Sequence, residues 1–153
     1  MAVPTILKRL IGTWRGDNRL WLRPEQPFRA SESTVEINLT AQGRFALIRY
    51  TWSYEGQPQD GMLLVGQEPA HRRVQGVWVD SWHMGDQFML CEGSAEPNGV
   101  WVKGSYPAPP DPDWGWQITI ESHTDSAFRM VMHNISPEGS EMLAVETICS
   151  RIL

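Results

Sequence analysis

Hydrophobic and polar residues alternate with a period of two along most of the chain after residue 12. In the first such segment, one face carries Trp14, Leu20 and Leu22. The opposite face is mostly charged and consists of Arg15, Asp17, Arg19, Trp21 and Arg23. The same alternation recurs in short segments separated by glycine, proline, asparagine and aspartate. Because successive side chains of a β-strand point to opposite faces, this pattern predicts a series of half-buried strands and an all-β fold.

Ten segments carry the pattern, and they account for nearly all of the chain after residue 12. The predicted strands lie near residues 13–23, 32–40, 45–54, 60–67, 73–82, 87–94, 99–106, 114–122, 127–135 and 142–151. The connections are too short for crossover helices, so consecutive strands should pair antiparallel in an up-and-down order. Closure of such a sheet removes both exposed edges, which favours a single ten-stranded β-barrel domain over residues 1–153. A sandwich of two sheets shows the same alternation and is the alternative.

The remaining segments add a helix and two unequal ends to this predicted barrel. Residues 4–10, with Pro4 in the first turn, predict one short helix that would serve as a lid. In an up-and-down barrel the turns fall at two ends, and at one end they are short. The other end collects longer or proline-containing connections at residues 24–29, 55–59, 83–87, 107–113 and 136–141. Binding sites usually lie on such loops, so this end is predicted to be the mouth.

Composition and charge narrow the classes of function. Of 153 residues, 41% are hydrophobic and 20% are charged, which is typical of a globular protein and not of a disordered chain or a coiled coil. A net charge of −5 without a basic cluster indicates no nucleic-acid partner and no membrane partner. Lys8 and Arg9 interrupt the apolar stretch of a signal peptide, so a cytoplasmic location is expected. Cys91 and Cys149 are then expected to be reduced thiols.

The segment Gly12-x-Trp14 opens the first strand directly after the helix, and in this it resembles the calycins, the superfamily of lipocalins, fatty-acid-binding proteins and nitrobindins. In calycins this tryptophan plugs the closed end of the barrel, and an arginine near the end of the last strand packs across it. Trp14 and Arg151 match these positions, which implies structural roles for both. Further segments resemble a bacterial calycin-like family of unknown function: Gly-Arg-Phe at 43–45, Trp-Val-Asp-Ser at 78–81, Glu-Gly at 92–93 and Glu-Thr-Ile-Cys-Ser-Arg at 146–151. The resemblance covers nearly the whole chain.

Two ligand anchors of calycins are missing from the last predicted strand. Nitrobindin-like proteins hold haem iron with a histidine close to the C-terminus, and residues 142–151 contain no histidine. Fatty-acid-binding proteins fix a carboxylate with an Arg-x-Tyr pair, whereas this strand ends in Cys149, Ser150 and Arg151. The resemblance therefore implies neither a haem nor a fatty-acid anchor, and no cofactor is expected.

Tryptophan is unusually frequent, because it makes up eight of the fifteen aromatic residues. Trp78, Asp80 and Trp82 fall on one face of a central strand. If that face points inward, a carboxylate is buried among aromatic rings, where it must be hydrogen-bonded, paired or protonated. If Val77 and Val79 point inward instead, Asp80 is solvated. A change of one residue in a turn exchanges the two faces, so both alternatives stay open.

The leading hypothesis is a barrel that binds a small apolar or aromatic molecule in its cavity. In this hypothesis Asp80 orients the ligand and methionines adapt the walls to it. The predicted ligand-binding residues are Arg49, Trp52, Trp78, Asp80, Trp82, Trp116, Met130, Met132 and His133. The four histidines lack metal-site spacing, and no motif for phosphate binding or nucleophilic catalysis occurs. No metal is therefore expected.

Two further hypotheses stay open. A cofactor-free isomerase, hydratase or decarboxylase would use Asp80 or Glu92 as general acid–base, with His133 as its partner. An interaction module would instead fill the barrel with its own tryptophans and bind through an outer face around Trp21 and Trp101. Such a face would also allow a homodimer.

Overall fold

The computed structural model describes residues 1–152, which form one short helix and ten β-strands. The helix α1 spans Thr5–Arg9. The strands are β1 (Gly12–Leu20), β2 (Arg29–Thr40), β3 (Phe45–Tyr54), β4 (Gln57–Gln67), β5 (Arg73–Asp80), β6 (Met89–Glu96), β7 (Gly99–Ala108), β8 (Asp111–Glu121), β9 (Ala127–Ile135) and β10 (Glu141–Arg151). Consecutive strands pair antiparallel, and β1 also pairs with β10, which closes the barrel. The predicted ten-stranded up-and-down barrel is confirmed, and the sandwich alternative is wrong.

The inward face of the barrel follows the alternation of the sequence. On β1, Trp14 and Leu20 belong to the buried set, and on β3 Tyr50 and Trp52 do. On β5 the inward face carries Trp78 and Asp80, whereas the neighbouring valines are only half-buried. The inward side chains are mostly large and apolar, and each Å² of apolar surface that they bury contributes about 25 cal/mol to stability.

Helix α1 covers one end of the barrel, which we call the closed end. Ile6, Leu7 and Leu10 are fully buried there. The indole nitrogen of Trp14 donates a hydrogen bond to the carbonyl of Leu10 at 2.9 Å, and its ring meets Phe128 edge-on at a centroid distance of 4.8 Å. The predicted helix is therefore present, and it covers the end that lies opposite the mouth.

The mouth carries the connections at residues 21–28, 55–56, 81–88, 109–110 and 136–140, so the turns are divided between the two ends as predicted. Of these mouth connections, the two long ones are 21–28 and 81–88, with eight residues each between the strands. The predicted loop at 107–113 is mostly strand, because β7 and β8 continue until Ala108 pairs with Asp111. Long loops therefore border the mouth on two sides of the barrel only.

Two smaller features bear on chemistry and location. Among residues 1–152, no helix is long and apolar enough to cross a membrane. Cys91 and Cys149 are free, buried thiols. Burial raises the pKa of Cys91 to about 11, and burial together with the negative charge of Asp17 raises the pKa of Cys149 to about 12. Both thiols are therefore protonated at neutral pH and are poor nucleophiles.

Candidate functional site

Asp80, the last residue of β5, is a buried carboxylate at the mouth end of the barrel, with 1% of the residue exposed. Its Oδ2 atom accepts hydrogen bonds from the hydroxyl of Tyr50 at 2.7 Å and from the indole nitrogen of Trp52 at 3.3 Å. Its Oδ1 atom accepts from the backbone N–H groups of Trp82 and His83, both at 2.8 Å. Four protein donors therefore satisfy the carboxylate, as the burial of a polar group requires.

Tyr50 links this carboxylate to a second tryptophan. Its hydroxyl donates to Asp80 and accepts a hydrogen bond from the indole nitrogen of Trp78 at 2.9 Å. Gly61 on β4 makes room for it, because a Cβ atom there would lie 2.2 Å from the hydroxyl oxygen. Burial, and then the negative charge of Asp80, raise the pKa of Tyr50 well above its usual value. The phenol therefore stays protonated and is a fixed donor.

The hydrogen bonds of Asp80 also fix the start of the connection 81–88. The backbone N–H of Met84 donates to the carbonyl of Asp80 at 3.0 Å, so both the side chain and the backbone of Asp80 hold this turn. Aspartate commonly organises turns in this way. The turn places Trp82 and His83 at the mouth, where both line a cavity whose lining does not include Asp80.

The cavity at the mouth has a volume of about 250 Å³. Its aromatic lining consists of Trp21, Trp78, Trp82, His83, Tyr106 and Trp116. The rest of its lining consists of Leu20, Leu22, Met84, Met89, Asn134 and Ala144. Mostly apolar walls with a few polar groups are typical of small-molecule sites. Beyond His83 the barrel is nearly filled, because the next void measures only about 10 Å³.

His83 is surrounded by tryptophan rings. Its imidazole stacks on Trp52 at a centroid distance of 5.4 Å and an interplanar angle of 27°. Trp82 meets it edge-on at 4.8 Å, and Trp116 lies at 5.0 Å. Trp116 in turn stacks on Trp78 at 5.4 Å with an angle of 11°. His83 borders both the cavity at the mouth and the small void, so its ring separates the two.

Polar groups at the edge of the cavity could orient a bound molecule. Burial lowers the pKa of His83, although the charge of Asp80 opposes this. The imidazole is therefore neutral at pH 7 and offers one donor and one acceptor. The hydroxyl of Tyr106 donates to Oδ1 of Asn134 at 2.6 Å, which orients the amide. The indole nitrogen of Trp116 is buried without a hydrogen-bond partner in the part of the chain that the structure describes.

The structure brings only some of the predicted ligand-binding residues to the cavity. Those that line it are Trp78, Trp82 and Trp116. Those that lie deeper, around the small void, are Trp52, Asp80, Met130 and Met132. Arg49 and His133 lie on the outer face, because each follows an inward-facing residue, Ile48 or Met132, and neighbouring residues of a strand point to opposite faces. Their predicted place inside the barrel is therefore corrected.

The residues of the enzyme hypothesis do not converge. The carboxylate of Asp80 is inside the barrel and is fully used by four donors. Glu92 lies on the outer face of β6, where it pairs with Arg73 at 2.6 Å. His133 lies on the outer face of β9, three strands away from β6. Within residues 1–152 there is also no group of three or more histidine, cysteine, aspartate or glutamate side chains that could hold a metal ion.

Several site residues were missed by the sequence analysis. Trp21 was expected on an outer face, but β1 ends at Leu20 and Trp21 lines the cavity, where its ring meets Phe28 at 5.4 Å. Tyr50 shares its face with Trp52, and the signal that could have found it is Gly61. A glycine inside a strand often marks a close approach by another group, here the hydroxyl of Tyr50. For Tyr106 and Asn134 the sequence carries no such signal.

At the closed end, Trp14 and Arg151 are partners in the β1–β10 register. The guanidinium carbon of Arg151 lies 4.2 Å from the centre of the Trp14 ring. Arg151 also donates to three backbone carbonyls, those of Arg9, Ile11 and Asp125. This pair holds the helix, β1 and the β8–β9 turn together, at the end of the barrel away from the cavity.

A comparison with protein families gives a match over residues 3–151 to a family described as "Protein of unknown function (DUF1579)". The chain belongs to the DUF1579 family. No curated protein matches this DUF1579 sequence. The family places the chain among relatives without assigning an activity to it.

Solved structures resemble the DUF1579 barrel in fold. Rv2717c from M. tuberculosis is similar with a TM-score of 0.66 and 12% identity, and the match covers 100% of both chains. The S-type phycobiliprotein lyase CPES from Guillardia theta is similar with a TM-score of 0.65 and 12% identity over 96% of this chain and 90% of that one. A DUF3598 protein of unknown function from Nostoc punctiforme gives 0.52 and 11%, over 95% of this chain and 48% of that one. At such identities the likeness concerns the fold alone.

Proposed function

We propose that this DUF1579 protein binds a small, largely aromatic or apolar molecule in the cavity at its mouth. The observation that carries the proposal is the cavity of about 250 Å³, lined by six aromatic rings, at one end of a barrel that is otherwise filled. The apolar walls of this cavity face water at the mouth, and an apolar molecule that covers them removes that surface from water.

The dimensions and the lining suggest the kind of ligand. Small-molecule pockets usually measure about 300–1,000 Å³, so a cavity of about 250 Å³ suits a molecule of one or two rings. A ligand that buries roughly 200 Å² of apolar surface would gain about 5 kcal/mol before the costs of association. Polar contacts must add to this. The neutral imidazole of His83 and the amide of Asn134 are the groups that would supply them.

We also propose that the protein is a calycin-like barrel of one domain and that it is a bacterial cytoplasmic protein. The pairing of Trp14 with Arg151 across the closed end supports the calycin-like part. The fold likeness to a protein named as a phycobiliprotein lyase is compatible with a small-molecule role for the barrel, and the low identity leaves the ligand open.

A matched pair of tryptophan variants tests the proposal. Trp82 lines the cavity and is 36% exposed, whereas Trp101 lies on the outer face of β7 and is 37% exposed. Tryptophan fluorescence is titrated with a panel of one-ring and two-ring aromatic compounds, and ligand-observed NMR serves as a second readout. We expect saturable binding by the wild type and a loss of about tenfold in affinity for Trp82→Ala, because one aromatic contact is worth about 0.5–1.5 kcal/mol.

Trp101→Ala removes the same fluorophore from a site of the same exposure, so it should keep the wild-type affinity. The proposal fails if no compound of the panel gives a saturable response. It also fails if the two variants lose affinity equally, because the bound molecule would then not lie at the mouth.

A further inference from the structure

Aromatic rings line the cavity at the mouth, and the face of an aromatic ring attracts a cation. Two rings that pack against cavity residues already carry one. The guanidinium carbon of Arg19 lies 4.9 Å from the centre of the Phe28 ring, and that of Arg29 lies 5.1 Å from the centre of the Tyr54 ring. Within residues 1–152, no lysine or arginine lies over a ring that lines the cavity. The cavity rings are therefore available to a cation from outside the chain.

A buried negative charge without a counter-ion lies behind the cavity. All four hydrogen bonds to the side chain of Asp80 come from neutral donors. No lysine, arginine or histidine among residues 1–152 forms an ion pair with it. Asp80 lines the small void, which the ring of His83 separates from the cavity. Because charges interact strongly where little water is present, this carboxylate favours a positive charge in the cavity.

The mouth itself is acidic on one side. The connections after β5, β7 and β9 follow one another around this side of the barrel. Residues 81–88, 109–113 and 136–141 contain no lysine or arginine, but they carry five exposed acidic side chains: Asp86, Asp111, Asp113, Glu138 and Glu141. None of the five forms an ion pair in the part of the chain that the structure describes. An opening bordered by charges of one sign raises the local concentration of ions of the other sign.

The arginines on the other side of the mouth do not offset these charges. Arg19 and Arg29 are each paired with a glutamate, at 3.6 Å and 2.7 Å. Arg23 forms no ion pair with any described residue, but neither does Glu25 two positions later. The mouth as a whole therefore carries an excess of negative charge, which draws cations toward the cavity.

We infer that the molecule bound in the cavity is a small organic cation of the quaternary ammonium class. This inference rests on the proposed binding function and adds the charge of the ligand to it. The cavity offers many ring faces and few hydrogen-bond acceptors. Such a lining suits a methylated ammonium group, because this group has no N–H to donate and is bound through ring faces.

One group of the lining would favour a different ligand. The indole N–H of Trp116 is buried without a partner among the described residues, and it could donate to an anion. An anion in the cavity would, however, lie near the carboxylate of Asp80 and would enter past the acidic side of the mouth. Because like charges repel, the electrostatics of the site favour the cation.

Three probes of one shape and different charge test the inference. Phenyltrimethylammonium, tert-butylbenzene and benzenesulfonate each join a benzene ring to a compact tetrahedral head that is positive, neutral or negative. Calorimetry and ligand-observed NMR give the dissociation constants. We expect phenyltrimethylammonium to bind at least tenfold more tightly than tert-butylbenzene, a difference of about 1.4 kcal/mol, and benzenesulfonate to bind most weakly. A purely apolar cavity would prefer the neutral probe over the cation, because a charged group loses more hydration on burial.

The outcomes separate this inference from the proposed binding function. Equal or tighter binding of tert-butylbenzene overturns the cation and leaves an aromatic or apolar ligand in place. Tightest binding of benzenesulfonate overturns it as well and assigns the selection to the indole N–H of Trp116. If none of the three probes binds while other aromatic compounds do, the inference alone is wrong. If no aromatic compound of any charge binds, both proposals fail.

Charge variants at the two ends of the barrel supply the matched control. D86N/E138Q removes two exposed carboxylates from the mouth, and E96Q/D125N removes two exposed carboxylates from the closed end. At low ionic strength the mouth variant should bind phenyltrimethylammonium about threefold more weakly and tert-butylbenzene as the wild type does. The closed-end variant should bind both probes as the wild type does. Equal losses in the two variants, or no loss in either, overturn the role of the mouth charges.

Discussion

At the scale of single residues, the hydroxyl of Tyr50 holds the buried polar network together. It accepts a hydrogen bond from the indole N–H of Trp78 and donates one to Oδ2 of Asp80. One oxygen atom therefore satisfies the indole and supplies one of the two donors to Oδ2. Within a barrel that is otherwise packed with apolar side chains, water has little space to replace it. The network is therefore sensitive to the loss of this single atom.

We expect Tyr50→Phe to lower the free energy of unfolding by about 2–3 kcal/mol, because it removes a hydrogen bond to a buried carboxylate and leaves the indole N–H of Trp78 unpaired. Urea denaturation measures the change. Tyr54→Phe is the matched control, since Tyr54 is half-buried on the same strand with its ring against Trp82 at 4.9 Å, and it should change stability by less than about 0.5 kcal/mol. Equal effects of the two substitutions would contradict a special role for Tyr50.

The residue scale is also where prediction from sequence reached its limit. Alternation defines two faces of a strand, but it does not say which face is inside, and this left Asp80 with two alternatives. The pattern does exclude some combinations. Arg49 and Trp52 have opposite parity on β3, as Met132 and His133 have on β9, so neither pair could line one cavity together. Gly61 fixes the choice physically, because it gives the Tyr50 hydroxyl room on the inside.

At the scale of elements, the connection 81–88 shapes the site. The period-two pattern predicted a strand that continues to residue 82, because Trp82 has the same parity as Trp78 and Asp80. The strand ends at Asp80, whose carboxylate captures the next backbone N–H groups and turns the chain across the mouth. The periodicity of the sequence does not predict these hydrogen bonds from backbone N–H groups to Asp80, because they depend on the burial of the carboxylate against β3. The cavity residues on this connection were therefore only partly predictable.

The pH dependence of stability should report on His83. Burial lowers its pKa in the folded protein below the ordinary 6.5, so the unfolded chain binds a proton more readily. The stability that the neutral ring contributes is therefore fully present above about pH 6.5 and is lost as the pH falls below it. We expect the free energy of unfolding to fall more steeply between about pH 7 and pH 5 in the wild type than in His83→Phe. Urea denaturation at a series of pH values measures both slopes.

His133→Phe is the control for this comparison, because it removes an imidazole from the outer face of β9. It should leave the contribution of His83 to the pH dependence in place. If His83→Phe also keeps that dependence, the imidazole is not enclosed by Trp52 and Trp116 in the way the structure describes.

At the scale of the whole molecule, closure of the barrel follows from local signals that the sequence carries strongly. Alternation marked the ten strands, and glycine, proline and aspartate marked the turns between them. Because these turns are too short for crossover connections, each strand pairs antiparallel with the next one. No local pattern in the sequence indicates the pairing of β1 with β10, which joins opposite ends of the chain. It was predicted because an open sheet would leave two strand edges exposed.

The β1–β10 seam depends on Arg151, and this gives a prediction for the barrel as a unit. Its guanidinium lies over Trp14 and donates to three backbone carbonyls: that of Arg9 at the end of α1, that of Ile11 just after the helix and that of Asp125 in the β8–β9 turn. Gly12 allows this approach, because a Cβ atom there would lie 2.7 Å from Nη1 of Arg151. Arg151→Lys keeps the charge over the indole but cannot reach all three carbonyls. We expect a loss of about 2 kcal/mol in the free energy of unfolding, about 1 kcal/mol for each of two lost hydrogen bonds.

Arg19→Lys is the matched control on the same seam. Arg19 also lies over an aromatic ring, that of Phe28 at 4.9 Å, but it makes one partly exposed ion pair at 3.6 Å, and such pairs contribute about 0–1 kcal/mol. Guanidinium denaturation, followed at once by fluorescence and by far-UV circular dichroism, compares the two. If Arg151 joins the helix, the β1–β10 seam and the β8–β9 turn into one cooperative unit, Arg151→Lys shifts the fluorescence and circular-dichroism transitions together. A variant in which α1 unfolds separately from the strands, or one as stable as Arg19→Lys, would mean that burial of Ile6, Leu7 and Leu10 alone holds the closed end.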